Sequence, residues 1–199
     1  MTDLRKRLLL HACCAPDATV VLERLSLEYQ ITIFFYNPNI HPESEYSLRV
    51  EEMQRLATQL TVPLLPAQYD AETWFQLVQG FEKVPEGGRR CEICFEMRLQ
   101  KTAEIARQHQ FDLFTTVLTV SPHKNAALIN RIGIQIGREV GVPFLEANFK
   151  KKDGFKRSLE LSREYQLYRQ DYCGCIYSRL EREARQKLAP GAQKKQDSA

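Results

Sequence analysis

Apolar positions along the chain alternate between short continuous runs and longer stretches of helical period. Leu8–His11 is a short apolar run and reads as a first strand, with a helix over Ala18–Tyr29 behind it. Ile31–Tyr36, rich in Ile and Phe, reads as a second strand. Tyr46, Val50, Met53, Leu56 and Leu60 recur at helical spacing within Ser44–Leu60, and Val62–Leu65 follows as a third short strand. Thr73–Gln79 and Cys91–Gln108 have helical patterns, and Leu113–Leu118 is strand-like. Asn125–Val140 reads as a helix closed by Gly141, a usual C-cap position. Pro143–Glu146 is expected to be a last strand and Leu159–Tyr165 a last helical piece.

This strand–helix alternation predicts an α/β fold, a parallel sheet with helices on both faces. Right-handed crossovers place ligands at the carboxyl ends of such strands, so chemistry is expected on the loops and first helical turns that follow them. With 199 residues the chain suits one domain. We place that domain over 1–182, with segment 150–178 folding back to bring its cysteines to the others. Residues 183–199 read as a polar tail, its last part (Ala189–Ala199) expected to fray.

A hydrophobic fraction of 43% is enough for a core without cross-links, so any special use of cysteine needs a chemical reason. The N-terminal apolar run is too short for a signal peptide or a membrane span, which points to a cytoplasmic protein with no membrane partner. In a reducing compartment six cysteines are metal ligands or redox thiols rather than disulfides. The net charge of +3 is small, but Lys150, Lys151, Lys152, Lys156 and Arg157 sit together, as do Arg179, Arg182, Arg185 and Lys187. A local basic face can hold a phosphate backbone, although charge alone does not separate this from solvated helix faces.

The cysteines fall into three close pairs: Cys13-Cys14, Cys91-x-x-Cys94 and Cys173-Gly174-Cys175. The first pair follows a strand and precedes a helix, where the helix dipole favours thiolate. Cys91 and Cys94, three apart at a helix start, share one face. Gly174 lets the chain turn tightly between its two cysteines. A four-cysteine zinc site would leave two thiols over, whereas a cubane iron–sulfur cluster takes three or four. Asp17, on the first helical turn, could add an oxygen ligand. The donor count fits a cluster plus a second metal ion. Adjacent Cys13 and Cys14 are not expected to reach one iron together, which would divide them between the two centres.

Several blocks resemble the epoxyqueuosine reductase QueH family. They are His11-Ala12-Cys13-Cys14-Ala15-Pro16-Asp17, Tyr36-Asn37-Pro38-Asn39-Ile40-His41-Pro42, Cys91-x-x-Cys94-Phe95-Glu96-Met97-Arg98-Leu99, Ser121-Pro122-His123-Lys124-Asn125 and Tyr168-Arg169-Gln170-Asp171-Tyr172-Cys173-Gly174-Cys175. The likeness runs from the first strand to Ser178 without a departure in these blocks. It implies a fold similar to the adenine-nucleotide α-hydrolase and PP-loop group. It also implies cobalamin-independent reduction of the epoxide of epoxyqueuosine in tRNA to queuosine. A [4Fe–4S] cluster and a second mononuclear metal, read as iron, would be held by the six cysteines and Asp17.

That chemistry needs two electrons, two protons and a Lewis acid for the oxygen. The electrons are expected from an outside ferredoxin or flavodoxin-like donor. His123, Lys124 and Tyr172 are the candidate acids. An anticodon loop would be held by stacking and phosphate contacts, for which Asn37, Arg98, Lys151, Lys152, Tyr168, Arg169 and Gln170 are the candidates. Two other functions fit parts of the pattern. A tRNA sulfur-transfer or adenylating enzyme would want glycines to cradle phosphate after the first strand, where this chain has His-Ala-Cys-Cys-Ala-Pro-Asp. A non-catalytic zinc-binding RNA module would share the cysteines but carry no iron.

Overall fold

Leu8, Leu9 and Leu10 are all fully buried, as expected of a central strand covered on both faces. In the computed structural model, which describes residues 4–188, they belong to β1 (Lys6–His11). β1 pairs in parallel with β2 (Tyr29–Phe35) on one side and with β4 (Leu113–Thr116) on the other, and β2 pairs with β3 (Leu64–Pro66). The sheet order is β3-β2-β1-β4, parallel throughout. Chain order therefore reverses between β1 and β4. In open parallel sheets that reversal opens a crevice at the strands' carboxyl ends.

Helices α1 (Ala15–Leu25), α2 (Glu43–Gln59) and α6 (Gly154–Glu164) form one packed group, and α4 (Arg89–Gln108) packs on α5 (Ala126–Val140) as another. The short α3 (Ala71–Leu77) precedes α4, and α7 (Ile176–Leu188) closes the described chain. α5 begins where the Asn125 side chain accepts from the Leu128 N–H at 3.2 Å and ends at Gly141 with φ +81°. Gly133 and Gly137 leave room on α5 for Phe144: a Cβ on Gly133 would lie 2.6 Å from that ring. Among the described residues, no helix is long and apolar enough to cross a membrane.

The expected parallel α/β architecture is observed; several element ends shift by a few residues, with Tyr29 passing from the first helix to β2 and α6 starting at Gly154, and three differences are larger. The strand expected over Pro143–Glu146 is a single bridge, Phe114 to Phe144, with two flanking backbone hydrogen bonds. Phe144 is drawn onto Phe114 and the Gly133 notch of α5, and the chain then leaves the sheet edge. The strand expected to reach Leu118 stops at Thr116, where the Thr116 hydroxyl accepts from the Leu118 N–H and starts a 3-10 turn over Val117–Val120. Finally, α7 runs through residue 183, where the sequence reading begins its tail, as far as Leu188. Its few apolar positions made that helix hard to see. The expected fraying of Ala189–Ala199 lies outside the described residues.

Candidate metal centre

The turn after β1 carries three donors. Cys14 is the N-cap of α1 in extended conformation, Pro16 opens the helix and Asp17 sits in its first turn. The Sγ atoms of Cys13 and Cys14 and a carboxylate oxygen of Asp17 all lie within 4.8 Å of one another, and all three residues are buried. Cys13 and Cys14, expected to divide between two centres, present their thiols together here. The chain bends at Cys13 and extends at Cys14, and that change turns both thiols to one side. The Cys13 thiol is held down at about 6, chiefly by its hydrogen bond with Cys14, whose own thiol is pushed up by the same bond and by burial. Burial also raises Asp17, against the pull of Lys124 and Arg169. Two thiols and a carboxylate enclosed together repel one another as anions, and a bound cation removes that penalty. The donors fit a metal ion.

Four further cysteines meet between α4 and the start of α7. Cys91 stands in the first turn of α4 and accepts the Gly87 N–H at 3.2 Å; Cys94 follows one turn later. Gly174 sits at φ +116°, with any Cβ there 3.0 Å from both Arg49 and Ile40, so glycine is required between Cys173 and Cys175. Cys175 accepts the Ser178 N–H at 3.3 Å. The segment is fastened from outside the cysteines. Gly174 accepts from the His41 N–H at 2.8 Å, Arg49 donates to the Cys173 and Tyr172 carbonyls, and the Tyr172 hydroxyl donates to the His41 carbonyl at 2.7 Å.

Cys91, Cys94, Cys173 and Cys175 line one small cavity of about 100 Å³, with Trp74, Asn39, Arg90 and Lys124 completing its wall. Burial raises the thiols of Cys91 and Cys94 and pushes Cys175 up to about 12, with neighbouring Cys173 adding to the effect. All six cysteines are free thiols. Four soft donors around one closed space match the requirement of a cubane cluster.

Beside this cavity a larger groove of about 590 Å³ is lined by Cys13, Asp17 and Cys173, so both donor sets reach it. His123 and Lys124 line both spaces. His123 is exposed and Lys124 half-buried. Burial opposes the Lys124 charge, but Cys173, Cys13 and Asp17 outweigh it and hold the ammonium above its ordinary range. Arg169, Gln170 and Tyr172 also line the groove. The Tyr172 hydroxyl, however, is committed to the His41 carbonyl, and burial pushes it up to about 12.

Other expected site residues lie elsewhere. Asn37 is buried and donates to the Ala12 carbonyl at 2.8 Å, bracing the turn before Cys13. Arg98 is 1% exposed and reaches neither space. The Tyr168 hydroxyl donates to Glu45 at 3.1 Å, away from the groove. Lys151 and Lys152 are exposed, with their carbonyls taken by Arg24.

Arg182 and Arg185, noted in sequence only as part of a basic group, line the groove, and Glu181, which no motif pointed to, accepts from buried Arg90 at 2.8 Å. The basic run around Arg182 was a usable signal once a helix was recognised there. Trp74, the lone tryptophan, packs on Cys94 and Cys175, and no motif pointed to it.

The model of the family described as epoxyqueuosine reductase QueH matches residues 8–181. An epoxyqueuosine reductase QueH of Streptococcus pyogenes serotype M1 is 42% identical over 182 residues, covering 88% of this chain and 71% of its own. One of Thermotoga maritima is 39% identical over 178 residues, covering 87% and 91%. Among solved structures, the U34-tRNA thiolase NcsA from Methanococcus maripaludis with its [4Fe–4S] cluster superposes with a TM-score of 0.52. It has 10% identity and covers 94% of this chain and 68% of that one. A predicted subunit of tRNA methyltransferase from Methanocaldococcus jannaschii gives 0.53 at 13% identity, covering 79% and 75%. At these identities the two structures speak for the fold alone. With the family match spanning both donor sets, the chain belongs to the epoxyqueuosine reductase QueH family.

Proposed function

We propose that this protein is an epoxyqueuosine reductase that removes the epoxide oxygen of epoxyqueuosine in a tRNA anticodon loop, using two electrons and two protons and releasing water. The observation that carries this reading is the meeting of two metal-donor sets at one groove lined by both cationic and acidic side chains. Cys91, Cys94, Cys173 and Cys175 would hold a [4Fe–4S] cluster, and Cys13, Cys14 and Asp17 a mononuclear iron. When bound, these groups supply single electrons and a Lewis acid for the departing oxygen, which makes cobalamin unnecessary.

The remaining work belongs to side chains. His123, which lines both cavity and groove, would pass protons to the leaving oxygen. Lys124, held cationic, attracts a developing negative charge on that oxygen. Arg169, Arg182 and Arg185 line the groove where loop phosphates would lie, and Gln170 offers an amide for a base edge. Tyr172 serves this site by stacking under Arg49 and fastening the cysteine loop rather than by giving up its proton. The electrons come from an external ferredoxin or flavodoxin-like donor, and the reaction takes place in the cytoplasm.

The deciding experiment is oxygen-free purification with measurement of iron, sulfide and zinc per chain, followed by turnover of epoxyqueuosine-containing tRNA with a strong reductant. About five irons and four sulfides with product formation are expected. Stoichiometric zinc without sulfide would instead identify a structural RNA-binding module.

A further inference from the structure

Three arginines are almost completely enclosed: Arg49, Arg90 and Arg98, each 1% exposed. Arg49 is paired with Glu45 at 2.7 Å and Arg90 with Glu181 at 2.8 Å. Arg98 has no carboxylate within ion-pair distance among the described residues. Its Nε donates to the Cys94 carbonyl at 3.0 Å, the Phe95 ring lies 5.7 Å away, and its Nη2 is buried without an acceptor. A guanidinium cannot shed its charge to escape this position. Burying it unpaired is strongly unfavourable, so its counter-charge must come from something close by that is not a carboxylate.

The surroundings identify that counter-charge. Arg98 lies one turn after Cys94 on α4, and helical side chains lean toward the N-terminus, here toward the cysteines. The groups that interact with its charge are Cys94, Cys13, Cys173 and Cys91, which belong to both donor sets. Buried His11 also feels it and is held neutral, chiefly by burial and then by Arg98, so it does not compete for the same anions.

We propose that Arg98 is, with Lys124, a shared counter-cation of the two metal centres, and that its charge and free Nη2 hydrogens favour the reduced cluster. This rests on the metal reading above and replaces the expectation that Arg98 touches substrate. The step concerned is transfer of one electron from an external reductant to the cluster, with no bond made or broken. Reduction adds a negative charge at a site of low dielectric. A fixed buried cation one helical turn from Cys94 would stabilise that charge. Arg98 is thus a positioning and tuning residue.

The test compares wild type, Arg98→Lys and Arg98→Met, each full-length and prepared without oxygen. Iron and sulfide are measured first, then the midpoint potential by mediated titration followed in visible absorption and electron paramagnetic resonance. Arg98→Met should keep its iron and sulfide yet be harder to reduce. Its reduction constant should fall about tenfold, equivalent to about 59 mV for a one-electron couple. Arg98→Lys should remain close to wild type. A fully loaded Arg98→Met protein with unmoved potential would overturn the proposal, as would a lysine variant displaced as far as the methionine one. If Arg98→Met cannot retain the cluster, Arg98→Lys decides. Retention near the wild-type potential supports the need for charge, and loss in both variants overturns it. A wild-type protein without iron or sulfide would instead defeat the metal reading itself, a distinguishable result.

Discussion

The two donor sets are built in opposite ways. Cys13, Cys14 and Asp17 span five residues of one strand-to-helix turn, and a single backbone bend brings them within 4.8 Å. The other four cysteines come from α4 and from a loop about eighty residues later, and meet only because distant side chains fasten that loop. Arg49 reaches it from α2, His41 from the loop before α2, and the Arg90–Glu181 pair ties the start of α4 to α7. The local site therefore depends on short-range geometry, whereas the assembled site depends on the whole fold. Damage far from the metals should fall on the second set and spare the first.

The largest expected effect is a direct break of the assembled set. Cys94→Ser or Cys175→Ser should abolish the cluster's visible absorption and reduce turnover below detection; retention of both in either variant would disprove the ligand assignment. Asp17→Asn should break the local set alone. Iron should fall by about one atom per chain and activity by at least about 10–100-fold, with cluster absorption retained. Loss of the cluster in that variant would mean that the two sites are not independent.

Remote fastening is sharpened by Gly174→Ala, which places a side chain at φ +116° and against Arg49 and Ile40. It should cost on the order of 1–3 kcal/mol and lower cluster occupancy, read by thermal unfolding and sulfide content. The mononuclear iron should persist. The smallest effect belongs to the groove. Arg182→Ala or Arg185→Ala should leave metal content unchanged and weaken tRNA binding. The salt dependence should lose about one unit of slope for each phosphate contact removed. Unchanged binding at several salt concentrations would remove these arginines from the interface.

Much of the core and of the donor chemistry could be read from the chain. Leu8–Leu10 announced a buried central strand because continuous apolar runs suit a parallel sheet. The cysteine pairs announced metal chemistry because soft donors in close pairs have few other uses in a reducing compartment. Harder to read were features whose signal was shared. Tyr168 and Arg98 carry groups suited to RNA, yet one is spent on Glu45 and the other is enclosed and donates to the Cys94 carbonyl. α7 was obscured because Ile176–Leu188 is rich in charged residues and has few apolar positions, although those few keep a helical period.

The sequence alone determined the type of sheet and the kinds of ligand, since each rests on residue identity and spacing within a few positions. Tertiary structure decided which cysteines share a cavity and that Arg98 is enclosed without a carboxylate partner. Those outcomes depend on contacts between segments far apart in the chain. Burial and pairing there are settled by packing, and no local pattern encodes it.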